Sequence, residues 1–379
     1  MSRRTVAHLI TGLGVGGAEQ VLVRVATRLD RDRFDNFVVS LLPEGALAPR
    51  LRDAGIEVLS LGMTPDWPSP SAVWRLVRLL HERRTDVLQT WLYHADLVGL
   101  VAARLSGVAT VVWNVRTSDM DMSRYRAQTR WTLAACARLS HQPRTIVVNS
   151  EAGREHHRRL GYRARRWVVI PNGVDVSVFR PDRDARRAMR RELDIPGDAP
   201  TVCLIARRDP MKDHGTFLRA AALLATTRPE TCFVLAGEGV STGVAEFDAL
   251  RREMAPQARI IALGPRNDVP RLAAACDVST CSSITEGFPN VVIESMACGL
   301  PCVVTHVGDA AEIVGDTGLV VEPRDPHALA GAWDRLLALD EGERQALGAR
   351  ARARVIERYT VERMVSAYEE LYDKLAQPC

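Results

Sequence analysis

The sequence predicts two doubly wound parallel α/β domains in tandem, and three observations carry that prediction. Short apolar runs alternate with helical patterns along the whole 379-residue chain. The rhythm is interrupted once, near the middle, by a Pro/Asn/Gly-rich stretch. At roughly 100 to 200 residues per domain, the length suits two domains of similar size.

In the first half the apolar runs are Thr5–Thr11, Phe34–Leu42, Ile56–Leu61, Asp86–Trp91 and Val108–Val115. Between them, helical spacing appears over about Ala18–Leu29, Leu47–Ala54, Ala72–Arg83 and Ala95–Leu105. Strands that are almost continuously apolar and alternate with helices belong to a parallel sheet covered on both faces. In the second half Thr201–Arg207, Thr231–Gly237, Ala258–Gly264, Asp277–Ser283, Cys302–Thr305 and Gly318–Glu322 repeat the rhythm. The turn Pro171-Asn172-Gly173 inside Trp167–Pro181 marks the boundary, giving domains of 1–172 and 173–359. Beyond them, 360–379 forms a terminal amphipathic helix, with Val361, Met364, Val365, Tyr368, Leu371 and Leu375 at helical spacing.

Composition excludes several classes. With 46% hydrophobic and 25% charged residues the chain is neither disordered nor fibrous. No apolar run approaches the ~20 residues of a membrane span. The glycine-interrupted start lacks a signal-peptide core, so a cytoplasmic location is expected. Eight cysteines without a CxxC pair read as small core residues rather than as disulfides or a zinc site. Residues 1–180 hold 26 basic against 16 acidic side chains, while the remainder holds 24 against 30. The basic half suits an anionic partner or surface, and compositional bias toward arginine explains it equally well; nothing indicates nucleic-acid binding. Lys212 and Lys374 are the only lysines.

Open parallel sheets bind ligands outside the carboxyl ends of their strands, so the strand-end loops are where chemistry is expected. Gly12, Gly14 and Gly17 satisfy GxGxxG between the first strand and the first helix, which lets backbone amides approach a phosphate. A dinucleotide site also wants an acidic residue ending the second strand, and that strand ends in Leu41, Leu42 and Pro43. After Thr201–Ile205 comes the loop Ala206-Arg207-Arg208-Asp209-Pro210-Met211-Lys212, where Arg207 and Lys212 offer a planar fork and a point charge to a pyrophosphate. After Asp277–Cys281 comes Glu286-Gly287-Phe288-Pro289-Asn290, which opens a helix carrying Glu294. Two carboxylates eight residues apart then bracket a helix N-terminus. Asp119-Met120-Asp121 mimics a metal-binding DxD, although its surroundings read as a polar loop.

Taken in order, GVGGAE, IPNGVD, RRDPMK and EGFPNVVIE resemble the retaining glycosyltransferases of family 4, which have the two-Rossmann-domain GT-B architecture. The resemblance implies that the domains face each other across a cleft and that the terminal helix crosses back onto the first. It implies transfer of a sugar, with retention, from a nucleotide-diphosphate donor, UDP by default, to a glycan or lipid-linked hydroxyl, in cell-surface polysaccharide or glycolipid synthesis. Glu286 would contact the donor sugar and Glu294 the ribose, while Arg207 and Lys212 hold the diphosphate. Gly287, Phe288, Pro289 and Asn290 would add contacts to the donor, and Gly16 and Gly17 would close over it. His94 best matches the family's first-domain histidine; Asn114 and Arg116 stand where relatives often carry another. No metal or other cofactor is implied, because cations and amides can stabilise the leaving diphosphate.

Val73–Arg84 and Ser123–Arg144 mix arginine with apolar residues and tryptophan, which leaves two readings open: peripheral contact with an anionic membrane, or ordinary inward packing. Two other functions also remain open, a nucleotide-sugar epimerase on a similar fold and a non-catalytic sugar-nucleotide binder.

Overall fold

The computed structural model describes residues 3–64, 69–116 and 127–376. The chain divides into two compact units, 1–173 with 361–379, and 174–360.

The first unit holds a seven-stranded sheet of β1 (Arg4–Ile10), β2 (Phe34–Ser40), β3 (Glu57–Ser60), β4 (Val87–Trp91), β5 (Thr110–Val115), β6 (Thr145–Val148) and β7 (Trp167–Val169). Its order is β3-β2-β1-β4-β5-β6-β7 and every pairing is parallel. β6 and β7 go beyond the strands expected from sequence. They are four and three residues long, β6 between Arg144 and Asn149 and β7 between Arg166 and Ile170, where β7 runs straight into the Pro171-Asn172-Gly173 turn.

Both sheet faces are apolar, which is why β1 reads as a continuous run. Val6 and Ile10 enter a core with α1 (Gly17–Ala26), α2 (Ala48–Asp53) and α15 (Val361–Ala376). Ala7 and Leu9 enter the opposite core with α3 (Pro70–Glu82), α4 (Tyr93–Ser106) and α5 (Ala127–Leu139). α6 (Glu151–Arg159) follows β6.

The terminal helix α15 is tied to the first sheet by polar contacts as well as packing. Tyr368 Oη accepts from Asn114 Nδ2 at 2.8 Å and from an Arg116 amino group at 3.1 Å. Tyr372 Oη donates to Gln89 Oε1 at 3.0 Å. The Arg116 guanidinium also donates to Asn172 Oδ1 at 2.9 Å and lies 5.3 Å from the Trp91 ring centroid. His8 is fully buried against this helix, accepting on Nδ1 from Trp91 Nε1 at 3.4 Å. Burial drives its pKa down to about 3, as befits a structural side chain.

The second unit holds a six-stranded parallel sheet of β8 (Thr201–Ile205), β9 (Cys232–Ala236), β10 (Arg259–Ala262), β11 (Val278–Cys281), β12 (Cys302–Thr305) and β13 (Leu319–Val321). Its order is β10-β9-β8-β11-β12-β13. α8 (His214–Thr227), α9 (Ala245–Met254) and α13 (Pro326–Leu337) cover one face, centred on Phe217, Phe233 and Trp333. The other face meets α7 (Arg183–Glu192), α10 (Val269–Ala274), α11 (Asn290–Ala297), α12 (Ala310–Val314) and α14 (Glu341–Arg358). The seven cysteines among the described residues are buried and free, packed as small hydrophobes.

Candidate active site

In each sheet the strand order reverses beside the first strand, between β1 and β4 and between β8 and β11. Connections leave in opposite directions there, which opens a crevice at the carboxyl ends. In the second unit a pocket of about 260 Å³ occupies this position, lined by the end of β8, the end of β11, Lys212, Glu286 and the start of α11.

Local geometry fixes Lys212. The chain leaving β8 is pinned by Ala206 N donating to Ala236 O and Arg208 N donating to Glu238 O. Gly237 lies so close to Ala206 O that a Cβ there would clash, and its φ of +152° suits glycine. Asp209 then caps the 3₁₀ turn Pro210–Lys212, with Oδ1 accepting from Met211 N at 2.9 Å. Ser282 Oγ donates to Lys212 O at 2.9 Å, and Ile284 N to Met211 O at 2.8 Å, joining the two loops.

Lys212 Nζ consequently meets Glu286 Oε1 at 2.5 Å, and Ser283 Oγ donates to the same oxygen at 2.7 Å. The lysine side chain is 25% exposed and the glutamate 12%. Burial alone would lower the Lys212 pKa, but the Glu286 carboxylate outweighs it and raises the value. Beside the pair, α11 begins at Pro289 with no side chain capping it. Phe288 is buried edge-on against Tyr359, 5.6 Å between centroids, and anchors the turn. A fixed cation, an uncapped helix start and a carboxylate in one pocket suit an anion that carries hydroxyl groups.

The pocket thus gathers Lys212, Glu286, Phe288, Pro289 and Asn290. Gly287 is not in the lining; its carbonyl accepts from Asp309 N at 3.0 Å. Glu294 follows one turn along α11 and is half-buried. Arg207 is not in the lining: its side chain is 62% exposed and bonds Asp209 Oδ2 at 3.0 Å. His214, the first residue of α8, is buried beside the Lys212 loop, and burial lowers its pKa to about 4.

Sequence reading did not single out Ser283, Asp209 or Gly308. Gly308 has φ +53° and approaches Glu286 O so closely that any Cβ would collide with it. The isolated glycine in Thr305-His306-Val307-Gly308-Asp309 was the available clue. Ser283 and Asp209 act through contacts that spacing does not encode.

In the first unit, Gly16 is the N-cap and Gly17 the first residue of α1, at the end of the loop after β1. The Glu19 carboxylate folds back into the space a Gly16 side chain would fill, and burial raises its pKa. An acidic group therefore already covers this helix start. His94 sits in the first turn of α4, just after β4, half-buried and with its pKa lowered by burial. Leu92, which precedes that turn, holds φ +73°, a left-handed value costing a leucine about 1–3 kcal/mol. Contacts on both sides hold it: Tyr93 Oη lies 2.8 Å from His157 Nε2, and Thr90 Oγ1 donates to the buried Asp96 at 2.5 Å. His157 Nδ1 donates to Gly153 O at 2.7 Å, so its Nε2 accepts from Tyr93. Asp119 and Asp121 lie outside the described residues.

Two doubly wound domains, one with a cation and carboxylate at its switch point, define a nucleotide- or phosphate-handling protein. Comparison with known proteins narrows the class. Residues 185–354 match the family model described as "Glycosyl transferases group 1", and residues 15–178 match "Glycosyltransferase Family 4". A curated relative, the UDP-Gal:alpha-D-GlcNAc-diphosphoundecaprenol alpha-1,3-galactosyltransferase of Escherichia coli, is 24% identical over 78% of this chain and 77% of its own length. The D-inositol 3-phosphate glycosyltransferase of Mycobacterium tuberculosis is 35% identical over 56% of this chain and 44% of its own, so the match spans less than half of that protein. The crystal structure of HepE from Anabaena in complex with UDP superposes with a TM-score of 0.84 at 25% identity, covering 98% of this chain and all of that one. The chain belongs to the family 4 glycosyltransferases, and its two parallel-sheet units have the GT-B fold.

Proposed function

We propose that the protein transfers a sugar, with retention, from a UDP-sugar to a hydroxyl of a glycan or lipid-linked acceptor, in polysaccharide or glycolipid assembly. The observation that carries this reading is the Lys212–Glu286 pair at 2.5 Å beside the uncapped start of α11. The UDP held by HepE and the lipid diphosphate in the E. coli relative's name support the choice of donor and acceptor.

Lys212 and the α11 N-terminus stabilise the charge that grows on the departing diphosphate, where electrostatic help lowers the barrier most. Glu286, oriented by Ser283, accepts hydrogen bonds from the sugar hydroxyls. Glu294 holds the ribose, and Arg207 leaves Asp209 to reach the diphosphate. The acceptor oxygen bonds to the anomeric carbon on the face from which the diphosphate leaves, and its proton passes to that phosphate. His94 serves the acceptor side. No metal takes part, so EDTA leaves turnover intact.

Thermal unfolding in EDTA with UDP, GDP, ADP or NAD in excess tests the donor. A ligand at about 100 times its Kd stabilises the fold by about 2.7 kcal/mol. A shift with UDP alone is expected; a shift with NAD alone overturns the reading. The anomeric configuration of the transfer product tests retention.

A further inference from the structure

α3, α4 and α5 cover one face of the first sheet, with α4 packed against both neighbours. Each links two parallel strands, so the three helices run in the same direction. Trp74 is the fifth residue of α3 and Trp131 the fifth of α5, so both stand one turn from the helix start, about 20 Å apart across α4. They are 65% and 77% exposed. On α4, one to two turns further along, Val101 and Leu105 lie four residues apart and are 44% and 57% exposed.

These account for four of the eight large apolar side chains that stand exposed among the described residues. The same helices carry Arg75, Arg78, Arg104, Arg130 and Arg138, all exposed. Their one exposed carboxylate, Glu82, is engaged by Arg78 at 2.6 Å, and Asp96 is buried. Inward packing is fully supplied by Leu76, Leu80, Val98, Leu100 and Leu133, so it does not account for the outward tryptophans.

We propose that this outer face of α3, α4 and α5 is a docking surface for an anionic lipid bilayer. Tryptophan is amphipathic and sits at the headgroup boundary, aliphatic side chains enter the acyl region beneath it, and arginines meet anionic headgroups. A second copy of the same face is disfavoured, because it would set five arginines against five. The inference goes beyond the proposed reaction, since docking needs neither donor nor acceptor.

The test is flotation of the full chain with vesicles of equal parts phosphatidylcholine and phosphatidylglycerol, and with phosphatidylcholine alone, without nucleotide. Association with the anionic vesicles only, falling as salt rises, is expected. The Trp74→Ser/Trp131→Ser double variant should weaken it by about tenfold or more. Ile356→Ser, an exposed apolar position on α14 in the other unit, should leave it unchanged. These side chains are on the surface, so unfolding midpoints should stay close to the parent value, and that is checked on each variant. Equal binding to both vesicle types, or undiminished binding by the double variant, overturns the proposal. Self-association abolished by the double variant, without vesicle binding, assigns the face to a second copy instead. Salt-sensitive binding to polyglutamate without vesicle binding assigns it to an acidic polypeptide.

Discussion

Removing the partners of the Lys212–Glu286 pair singly and together is the sharpest test of the second-unit site. Lys212→Ala leaves the Glu286 carboxylate, 12% exposed, with Ser283 as its neighbour and no countercharge; Glu286→Ala strands an ammonium that is 25% exposed. Removing one partner of a fully buried pair costs about 3–5 kcal/mol. The residual exposure here reduces that to about 2–3 kcal/mol for each single variant. The double variant leaves no unpaired charge and should cost about 1–2 kcal/mol, less than the two singles combined. Urea unfolding of all four proteins at pH 7 measures this. Effects that add to within about 0.5 kcal/mol would show that the two side chains do not meet in solution. The same proteins report on donor binding. Excess UDP should stabilise Glu286→Ala, whose lost group is assigned to the sugar, and should stabilise Lys212→Ala much less. An undiminished UDP response in Lys212→Ala would remove the lysine from the diphosphate.

Gly308→Ala should reduce turnover at least about tenfold although Gly308 does not line the pocket, because its Cβ must displace the backbone of Glu286; steady-state kinetics checks this. His94→Ala should lower kcat more than the donor KM, and unchanged kinetics would end its proposed role. Turnover should persist in excess EDTA, and a strict divalent-ion requirement would return attention to Asp119 and Asp121. Acid should weaken the second unit through its buried histidine, while in the first unit the loss from two buried histidines is partly offset by Asp96, whose carboxyl burial holds well above its usual value. His8 and His157 have pKa values lowered to about 3 and 4, and His214 in the second unit to about 4. A histidine with a depressed folded-state pKa contributes its stability above the unfolded value of about 6.5 and loses it as pH falls toward the folded one. From pH 6.5 to 5 that is about 1.6 kcal/mol per histidine, seen as a pH-dependent fall in the unfolding midpoint.

The sheets were legible because burial on both faces turns each strand into an apolar run, as in Val6 to Ile10. The side chains gathered at the pocket were legible because Lys212 is one of two lysines and Glu286 stands just before a helix start. Arg207 was legible by residue type and position, but its pairing with Asp209, which keeps its side chain out of the pocket lining, was not. Ser283 shows the same limit, because its bond to Glu286 depends on how the turn after β11 folds, which no periodicity records. The His8 ring was placed in a strand from sequence alone, but its neighbours Trp91 and Tyr372 come from β4 and from the far end of the chain. Contacts of such range are fixed by packing and leave no local pattern.

The two units repeat one strand order, but among the described residues their switch-point loops differ in charge. Each has a loop after its first strand, at the switch point where a ligand would be bound. In the first unit that loop is glycine-rich, and its helix start is already occupied by Glu19, a carboxylate that would repel a phosphate. In the second unit the equivalent loop delivers the Lys212 cation to a pocket beside the start of α11, and neither helix start has a side-chain cap hydrogen bond. The glycines that look most like a phosphate motif are therefore the weaker site until Glu19 moves or takes up a proton, and its raised pKa makes the second course less costly. Substituting Glu19 by glutamine removes the repulsion while keeping the shape. If Gly16 and Gly17 close over the donor, Glu19→Gln should bind UDP at least as tightly as the parent, with the pH dependence of binding flattened on the acidic side. Weaker binding with an unaltered pH profile would show instead that the carboxylate only caps α1.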